Sequence, residues 1–92
     1  MEKFELGTLI GVKCEVQPGP FSDELLISVE TMEGPISGFV RRSELREEKN
    51  GNWSVRGTIL SVESDSIKVR IRGSFFTTNG LASVPRHLAI AA

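Results

Sequence analysis

Alternation of apolar and polar side chains at every second residue runs through most of this chain, and it constrains the fold more than any other feature. In residues 8–16, four apolar side chains fall on one side of an extended backbone, Ile10, Val12, Cys14 and Val16, and Gly11, Lys13 and Glu15 fall on the other. Residues 67–72 alternate in the same way. A period of two is that of a half-buried β-strand, whereas an amphipathic helix repeats every three to four residues. The sequence therefore predicts strands as the main elements.

Turn signals divide the alternating segments. Glycine and proline interrupt the chain in "QPGPFSD" and "MEGP", and Asn50-Gly51 is a further turn signal. The predicted strands are residues 8–16, 24–31, 36–41, 53–62, 67–72 and 81–84. Five or six short strands at this spacing favour a sandwich or a barrel. We expect residues 1–92 to form a single all-β domain, a small barrel, because closure leaves no exposed sheet edge.

Local signals add finer expectations. "SEL" at 43–45 and "PRHL" at 85–88 predict short helical turns, the first with Ser43 as its N-cap. The parity of apolar residues changes within 53–62, which predicts a β-bulge at Gly57. The alanine-rich C-terminus is expected to fray. The predicted core is made of the inward apolar residues: Ile10, Val12, Val16, Ile27, Val29, Val40, Leu45, Leu60, Ile67, Val69 and Ile71.

The two halves of the chain also echo each other. "GTLIGVK" in the first half is similar to "GTILSVE" in the second, and "GFVRRSEL" is similar to "GLASVPRHL". Each half has the order strand, strand, strand, helical turn. The matches involve few residues, so duplication and coincidence both remain open.

Charge is distributed unevenly along a chain whose net charge is −1. Residues 1–34 carry two basic and seven acidic side chains, whereas residues 35–92 carry nine basic and five acidic ones. A barrel interleaves its halves, so this does not fix a bipolar surface. It does allow a basic patch on a slightly acidic protein.

The sequence has few of the residues on which catalysis or metal binding depends. Cys14 is the only cysteine and His87 the only histidine, so neither a zinc site nor a nucleophile with its base is evident. Glu47-Glu48 fits a solvated loop. We expect a non-enzymatic protein without metal or cofactor. A lone cysteine and the absence of an apolar leader or membrane-length segment lead us to expect a cytoplasmic location.

One strand carries the strongest indication of a ligand. Lys68, Arg70 and Arg72 would project from one face of it, and Phe75 and Phe76 follow at once. Arg56 and Trp53 lie on the expected neighbouring strand. Cations for the backbone and flat side chains for the bases are what single-stranded nucleic acid requires. The alternative is that these cations are the solvated side of a strand and that the aromatic side chains fill the core.

A second class of function is a protein-interaction domain or accessory subunit without a nucleic-acid role. Its contacts would be Leu26, Phe39 and the segment 74–80, which are expected to be exposed. Arg41 and Arg42, at the end of the third predicted strand, fit either a polyanion contact or a solvated strand end.

Two segments suggest a known module. "GFVRRSEL" resembles the Gly-Leu-Val-x-x-Ser-Glu-Leu signature of the OB-fold RNA-binding repeat in the largest ribosomal small-subunit protein and in exoribonucleases, and "VRGTILSVESDSIKVRI" resembles its closing hairpin. The resemblance covers residues 7–73 and implies RNA contacts at Phe21, Arg41, and Lys68 or Arg70. The stretch between "PGPF" and "GFV" is longer than in that family, and residues 74–92 have no counterpart in it.

The segment "VQPGPFSD" also resembles the "GPF" turn of KOW-type, SH3-like barrels in transcription and translation factors, which would imply a protein or RNA partner. The sequence thus predicts a small binding module, with weak binding of single-stranded RNA or other nucleic acid as the first hypothesis. The expected contacts are Phe21, Arg41, Arg42, Trp53, Arg56, Lys68, Arg70, Arg72 and Phe75.

Overall fold

A computed structural model describes residues 5–19, 22–48, 51–76 and 79–91. These residues form nine β-strands and two 3-10 turns. The strands are β1 (Leu9–Pro18), β2 (Glu24–Thr31), β3 (Gly34–Arg41), β4 (Leu45–Glu47), β5 (Trp53–Val62), β6 (Ser66–Ile71), β7 (Ser74–Phe75), β8 (Leu81–Pro85) and β9 (Ala89–Ala91). The turns are η1 (Arg42–Glu44) and η2 (Arg86–Leu88).

One antiparallel sheet contains all of these strands. Its order is β7-β3-β2-β1-β5-β6-β8, with β4 paired to β5 and β9 paired to β1. The sheet curls strongly into a half-barrel, and the prediction of an all-β barrel-like fold with short helical turns is confirmed. A hydrogen bond from the Met32 N–H to the Ser83 carbonyl (2.7 Å) holds the β2–β3 turn against β8.

The long strands lie where the alternation places them. β2 and β5 have the predicted bounds, and β1, β3, β6 and β8 differ by one or two residues at their ends. The three shortest strands, β4, β7 and β9, were not predicted. The expectation that the C-terminal alanines fray is wrong, because residues 89–91 pair with residues 10–12 of β1.

The core lies between the curled walls of the sheet. It contains the buried residues Ile10, Val12, Ile27, Val29, Val40, Val55, Ile59, Ile67, Val69, Ile71, Ala82, Val84 and Ala89. Val16 and Leu45 are only partly buried and pack against it. The isoleucine and valine side chains explain the strands, since β-branched residues pack well on a pleated surface.

The predicted bulge in β5 is misplaced. The register between β5 and β6 shifts between Ile59 and Ser61, so the extra residue is Leu60 and not Gly57. Val55, Gly57 and Ile59 therefore form one continuous inward face. Leu60 is 39% exposed, and its assignment to the core is wrong.

The turn after β3 starts one residue earlier than expected. η1 begins at Arg42, and no side chain caps it, so the prediction of Ser43 as the N-cap is wrong. The Arg42 N–H instead donates a hydrogen bond to the carbonyl of Asp23 (2.8 Å) in the β1–β2 loop. This bond links the residue that follows β3 to the residue that precedes β2.

Candidate functional site

The outer face of β2 and β3 carries an apolar cluster of the partly buried Leu26 and Phe39 and the exposed Phe76, which we call the aromatic cluster. Leu26 and Phe39 are directly paired across the two strands, so their side chains lie on the same face. The rings of Phe39 and Phe76 meet edge to face, with centroids 5.6 Å apart and an interplanar angle of 74°. Phe76 is 64% exposed, which leaves ring surface available to a ligand.

The pairing of the short strand β7 with β3 determines which of two neighbouring residues, Phe75 or Phe76, faces water. Phe75 pairs with Gly38 and turns inward, where it packs against the core. A Cβ atom on Gly38 would lie 2.7 Å from Cδ1 of Phe75, so only glycine leaves room for the ring. The next residue, Phe76, points outward by alternation, and its N–H donates to the carbonyl of Ser37 (3.0 Å).

Two arginines from distant parts of the sequence line one cleft beside the aromatic cluster. Arg41, at the end of β3, and Arg72, just past β6, line the same cleft of about 390 Å³ as Phe39. We call it the arginine cleft. Its other lining residues are Glu24, Ser43, Glu44, Gly73 and Ser74.

The charges in the arginine cleft are mixed. Glu24 is the cross-strand neighbour of Arg41, and Glu44 lies on the same wall. Among the described residues, neither Arg41 nor Arg72 forms an ion pair or a side-chain hydrogen bond. Both guanidinium groups therefore retain their donors for a ligand, whereas the two carboxylates reduce the positive potential that an anion meets.

The outward residues of β6 extend the positive charge away from the cleft. Lys68 and Arg70 are exposed because Ile67, Val69 and Ile71 between them are buried. At about 3.3 Å per residue, the distance along the strand from Lys68 to Arg72 is roughly 13 Å. Lys68 and Arg70 form the basic strand face, and Arg72 joins it to the arginine cleft.

Arg56 and Arg42 lie outside this arrangement. Arg56 is exposed on β5 and lines a separate, more apolar cleft of about 280 Å³ together with Leu9, Leu45 and Arg46. Arg42 is exposed as the first residue of η1 and does not line the arginine cleft. The two neighbouring arginines are both exposed, but only Arg41 lines the arginine cleft.

The predicted contact Trp53 is not on this surface. Trp53 is half-buried, is paired with Cys14 on one side and Glu47 on the other, and shares the inward parity of Val55. It lies at the end of β5 away from the basic strand face. Phe21 lies outside the described residues.

Among the described residues, Cys14 and Glu48 have shifted pKa values, and both lie outside the arginine cleft. Burial raises the pKa of the Cys14 thiol to about 12, so the thiol stays protonated. Hydrogen bonds from Arg46 (2.9 Å) and Ser54 (2.8 Å) to Oε2 of Glu48 lower the pKa of that carboxyl.

Within the described ranges, no group of three or more histidine, cysteine or carboxylate side chains is placed to hold a metal ion. No helix in these ranges is long and apolar enough to cross a membrane.

The sequence pattern assigns Phe39 and the segment 74–80 to a protein-contact surface, and it names Phe75 but not Phe76 among the nucleic-acid contacts. The alternation identifies Phe39 as a residue of the outer face, because Gly38 and Val40 flank it on the inward parity. The inward position of Phe75 depends on its pairing with Gly38, which the local sequence does not encode.

Comparison with known proteins gives no relative, since no family model, curated protein or solved structure matches this chain. The functional argument therefore rests on the geometry of the outer face.

Proposed function

We propose that this protein is a small non-catalytic module that binds single-stranded nucleic acid, RNA in the first instance, weakly and with little sequence preference. The observation that carries the proposal is the arginine cleft, where Arg41 and Arg72 line the same cleft as Phe39. The bound strand would start at the aromatic cluster, pass the cleft and continue along Lys68 and Arg70.

Stacking supplies the first part of the affinity. Base–aromatic stacking contributes roughly 1–3 kcal/mol per base, and it tolerates any sequence because every base has a π-face. Phe76 offers the larger exposed surface, and its edge-to-face contact with Phe39 holds both rings in place. One or two bases would be bound at this end.

Phosphate contacts supply the second part. The cations Arg41, Arg72, Arg70 and Lys68 could make three or four phosphate contacts, and the last three of them span roughly 13 Å along the chain. Glu24 and Glu44 beside the cleft and a net charge of −1 argue for weak binding that depends strongly on salt.

The position of the proposed site agrees with the family resemblance. Oligonucleotides bind OB-folds on the face of strands 2 and 3 and at the adjoining loops. Here the aromatic cluster lies on the outer face of β2 and β3. Along the chain, β1, β2, β3, η1, β5 and β6 follow the order of three strands, a turn and two strands on which the resemblance is based, with β4 inserted before β5.

A direct test measures fluorescence polarisation of a 3′-labelled eight-nucleotide single-stranded RNA at about 25 mM salt. We expect Arg70→Glu to weaken binding at least fivefold. Lys13→Glu is the matched control, because it makes the same charge reversal on the exposed outer face of β1, and we expect a smaller effect. Equal effects of the two changes, or no binding by the wild-type protein, would reject the proposal.

The alternative function is protein interaction through the same aromatic cluster. The observation that favours it is the continuity of Leu26, Phe39 and Phe76 as one apolar surface. A protein partner held by this surface would be insensitive to salt and to Arg70→Glu, but would be lost with Phe39→Ala. Nucleic acid would respond to both changes.

A further inference from the structure

The two halves of the chain repeat one arrangement of elements. The first half contains β1, β2, β3, η1 and β4, and the second contains β5, β6, β8, η2 and β9. In each half the first strand pairs with the second and the second with the third, all antiparallel. Within the described residues, β7 is the one element without a counterpart.

The last strand of each half pairs with the first strand of the other half. In β4, Leu45 lies opposite Val55, and in β9, Ala89 lies opposite Val12. These pairings make Val12 and Val55 equivalent positions. Val12 and Val55 are also direct partners of each other in the β1–β5 ladder. That is where a twofold axis relating the halves must pass.

The 3-10 turns obey the same symmetry. Each turn begins with an arginine whose N–H donates to the carbonyl of an aspartate just before the second strand of its half. The donor–acceptor distances are 2.8 Å for Arg42 to Asp23 and 3.4 Å for Arg86 to Asp65. The position of this contact is independent of the strand pairings, so it is separate support for the repeat.

The core is built from equivalent residues as well. Ile27 pairs with Gly38 in the first half, and Val69 pairs with Ala82 in the second. The valines two residues further on, Val40 and Val84, are both fully buried. Each half therefore presents the same apolar pattern to a shared interior.

The repeat does not follow the register suggested by "GTLIGVK" and "GTILSVE". That alignment matches Val12 with Val62. The structure matches Val12 with Val55 instead, and Val62 lies beyond the bulge at the end of β5. The repeated order of elements is present, but its residue register is different.

We infer that the chain consists of two interlocked, equivalent units, and that the surfaces joining them accept the opposite unit of a second copy of this chain. These surfaces are the β1–β5, β4–β5 and β1–β9 ladders. The last strand of each unit pairs with the first strand of the other unit. A unit from a second copy could therefore form the same contacts as the unit in the same chain. Exchange of identical elements is a low-cost route to a dimer.

The hinge for such an exchange is the β4–β5 hairpin. Glu47 and Trp53 are direct partners, and the Glu48 N–H donates to the carbonyl of Asn52 (2.6 Å). If this hairpin opens, β4 and β5 form one continuous strand. That strand can pair with the same strand of a second copy and keep Leu45 opposite Val55.

Deletion of residues 48–52 tests the inference. It joins Glu47 to Trp53, whose Cα atoms lie about 5 Å apart across the ladder, whereas consecutive Cα atoms are about 3.8 Å apart. The shortest hairpin left to the variant would use Glu47 and Trp53 themselves as a two-residue turn, which removes their pairing and requires positive φ at residues other than glycine, so folding back is strongly disfavoured. Light scattering should show twice the monomer mass, with the far-ultraviolet circular dichroism of the wild-type protein. A folded monomer, or an unfolded or aggregated product, would overturn the inference.

Two further variants make the result specific. The first is a circular permutant that begins at Gly51 and ends at Glu48, with residue 91 joined to Glu5 by a short linker. It should be a folded monomer, because the pairing of Ala91 with Ile10 is equivalent to the pairing of β4 with β5. Deletion of the β2–β3 turn, residues 32–33, cuts inside one unit and should not give a defined dimer. An unfolded permutant, or a native-like dimer from the second deletion, would contradict equivalent units.

Discussion

The rings of Phe39 and Phe76 meet edge to face on the outer side of the sheet, with their centroids 5.6 Å apart. Phe75, the chain neighbour of Phe76, packs on the inner side of the same sheet over Gly38. Two adjacent phenylalanines therefore have opposite environments. One contributes to the core, and the other extends an exposed aromatic surface beside Arg41 and Arg72.

Alanine substitutions at these two positions should separate stability from binding. Phe76→Ala should weaken RNA binding roughly 5- to 150-fold, the equivalent of one stacked base, and should hardly change the thermal midpoint. Phe75→Ala should instead lower the free energy of unfolding by roughly 2–3 kcal/mol, because it removes an aromatic ring that packs against the core. Urea denaturation and polarisation titrations on both variants measure the two effects. A Phe76→Ala protein that binds normally would remove stacking from the account.

Neighbouring residues in β5 should differ in the same manner. Ile59 is 1% exposed, and we expect Ile59→Ala to cost about 2–5 kcal/mol of stability by leaving a cavity. Leu60 is the exposed bulge residue, and Leu60→Ala should cost less than about 1 kcal/mol. Urea unfolding compares the two. Equal costs would mean that the bulge lies elsewhere, for example at Gly57.

The sequence predicted the long strands because their information is local. Ile67, Val69 and Ile71 alternate with charged residues, and all three are buried. The parity argument failed in β5 because it counted Leu60 as a core residue. Leu60 is the bulge residue, and the inward residue before it is Ile59.

The short strands could not be predicted, because their stability comes from distant partners. Ala89–Ala91 has no strand-forming side chains apart from Ile90, and it is a strand because β1 offers a free edge at residues 10–12. β7 likewise exists through its pairing with Gly38 and Phe39. Such pairings depend on the completed sheet and leave no local pattern.

The positions of the candidate site residues could be predicted only in part from the sequence. Alternation alone places Lys68 and Arg70 outward, and they are exposed. The meeting of Arg41 with Arg72 in one cleft depends on how far the sheet curls. Periodicity gives the face on which a side chain lies, but it gives neither the curvature of the sheet nor the neighbour across a gap.

Alkaline pH should destabilise the protein through Cys14. Burial raises the pKa of this thiol to about 12, above its ordinary value of about 8.5 in an unfolded chain. Below pH 8.5 the thiol is protonated in both states, and its contribution to stability is fully present. Between that value and pH 12 only the unfolded state loses the proton, so stability falls as pH rises.

Comparison with Cys14→Ala isolates this effect from other titrating groups. The wild-type protein should lose more stability between pH 7 and pH 10 than the variant does, as measured by urea denaturation. Iodoacetamide at pH 8 should also react at least tenfold more slowly with the folded protein than with the protein in urea. Parallel pH profiles or equal reaction rates would show that the thiol is accessible.

The salt dependence of RNA binding tests the central claim most directly. Each phosphate neutralised on a single strand contributes about −0.7 to the slope of log affinity against log salt. Contacts from Arg41, Lys68, Arg70 and Arg72 predict a slope of roughly −2 to −3 for the wild-type protein, measured by polarisation with the labelled RNA. The double substitution Lys68→Glu and Arg70→Glu changes two exposed residues, so it should reduce the slope to about −1.4 or abolish binding while the protein stays folded. A slope near zero, or a wild-type slope in the double variant, would contradict the proposed nucleic-acid track.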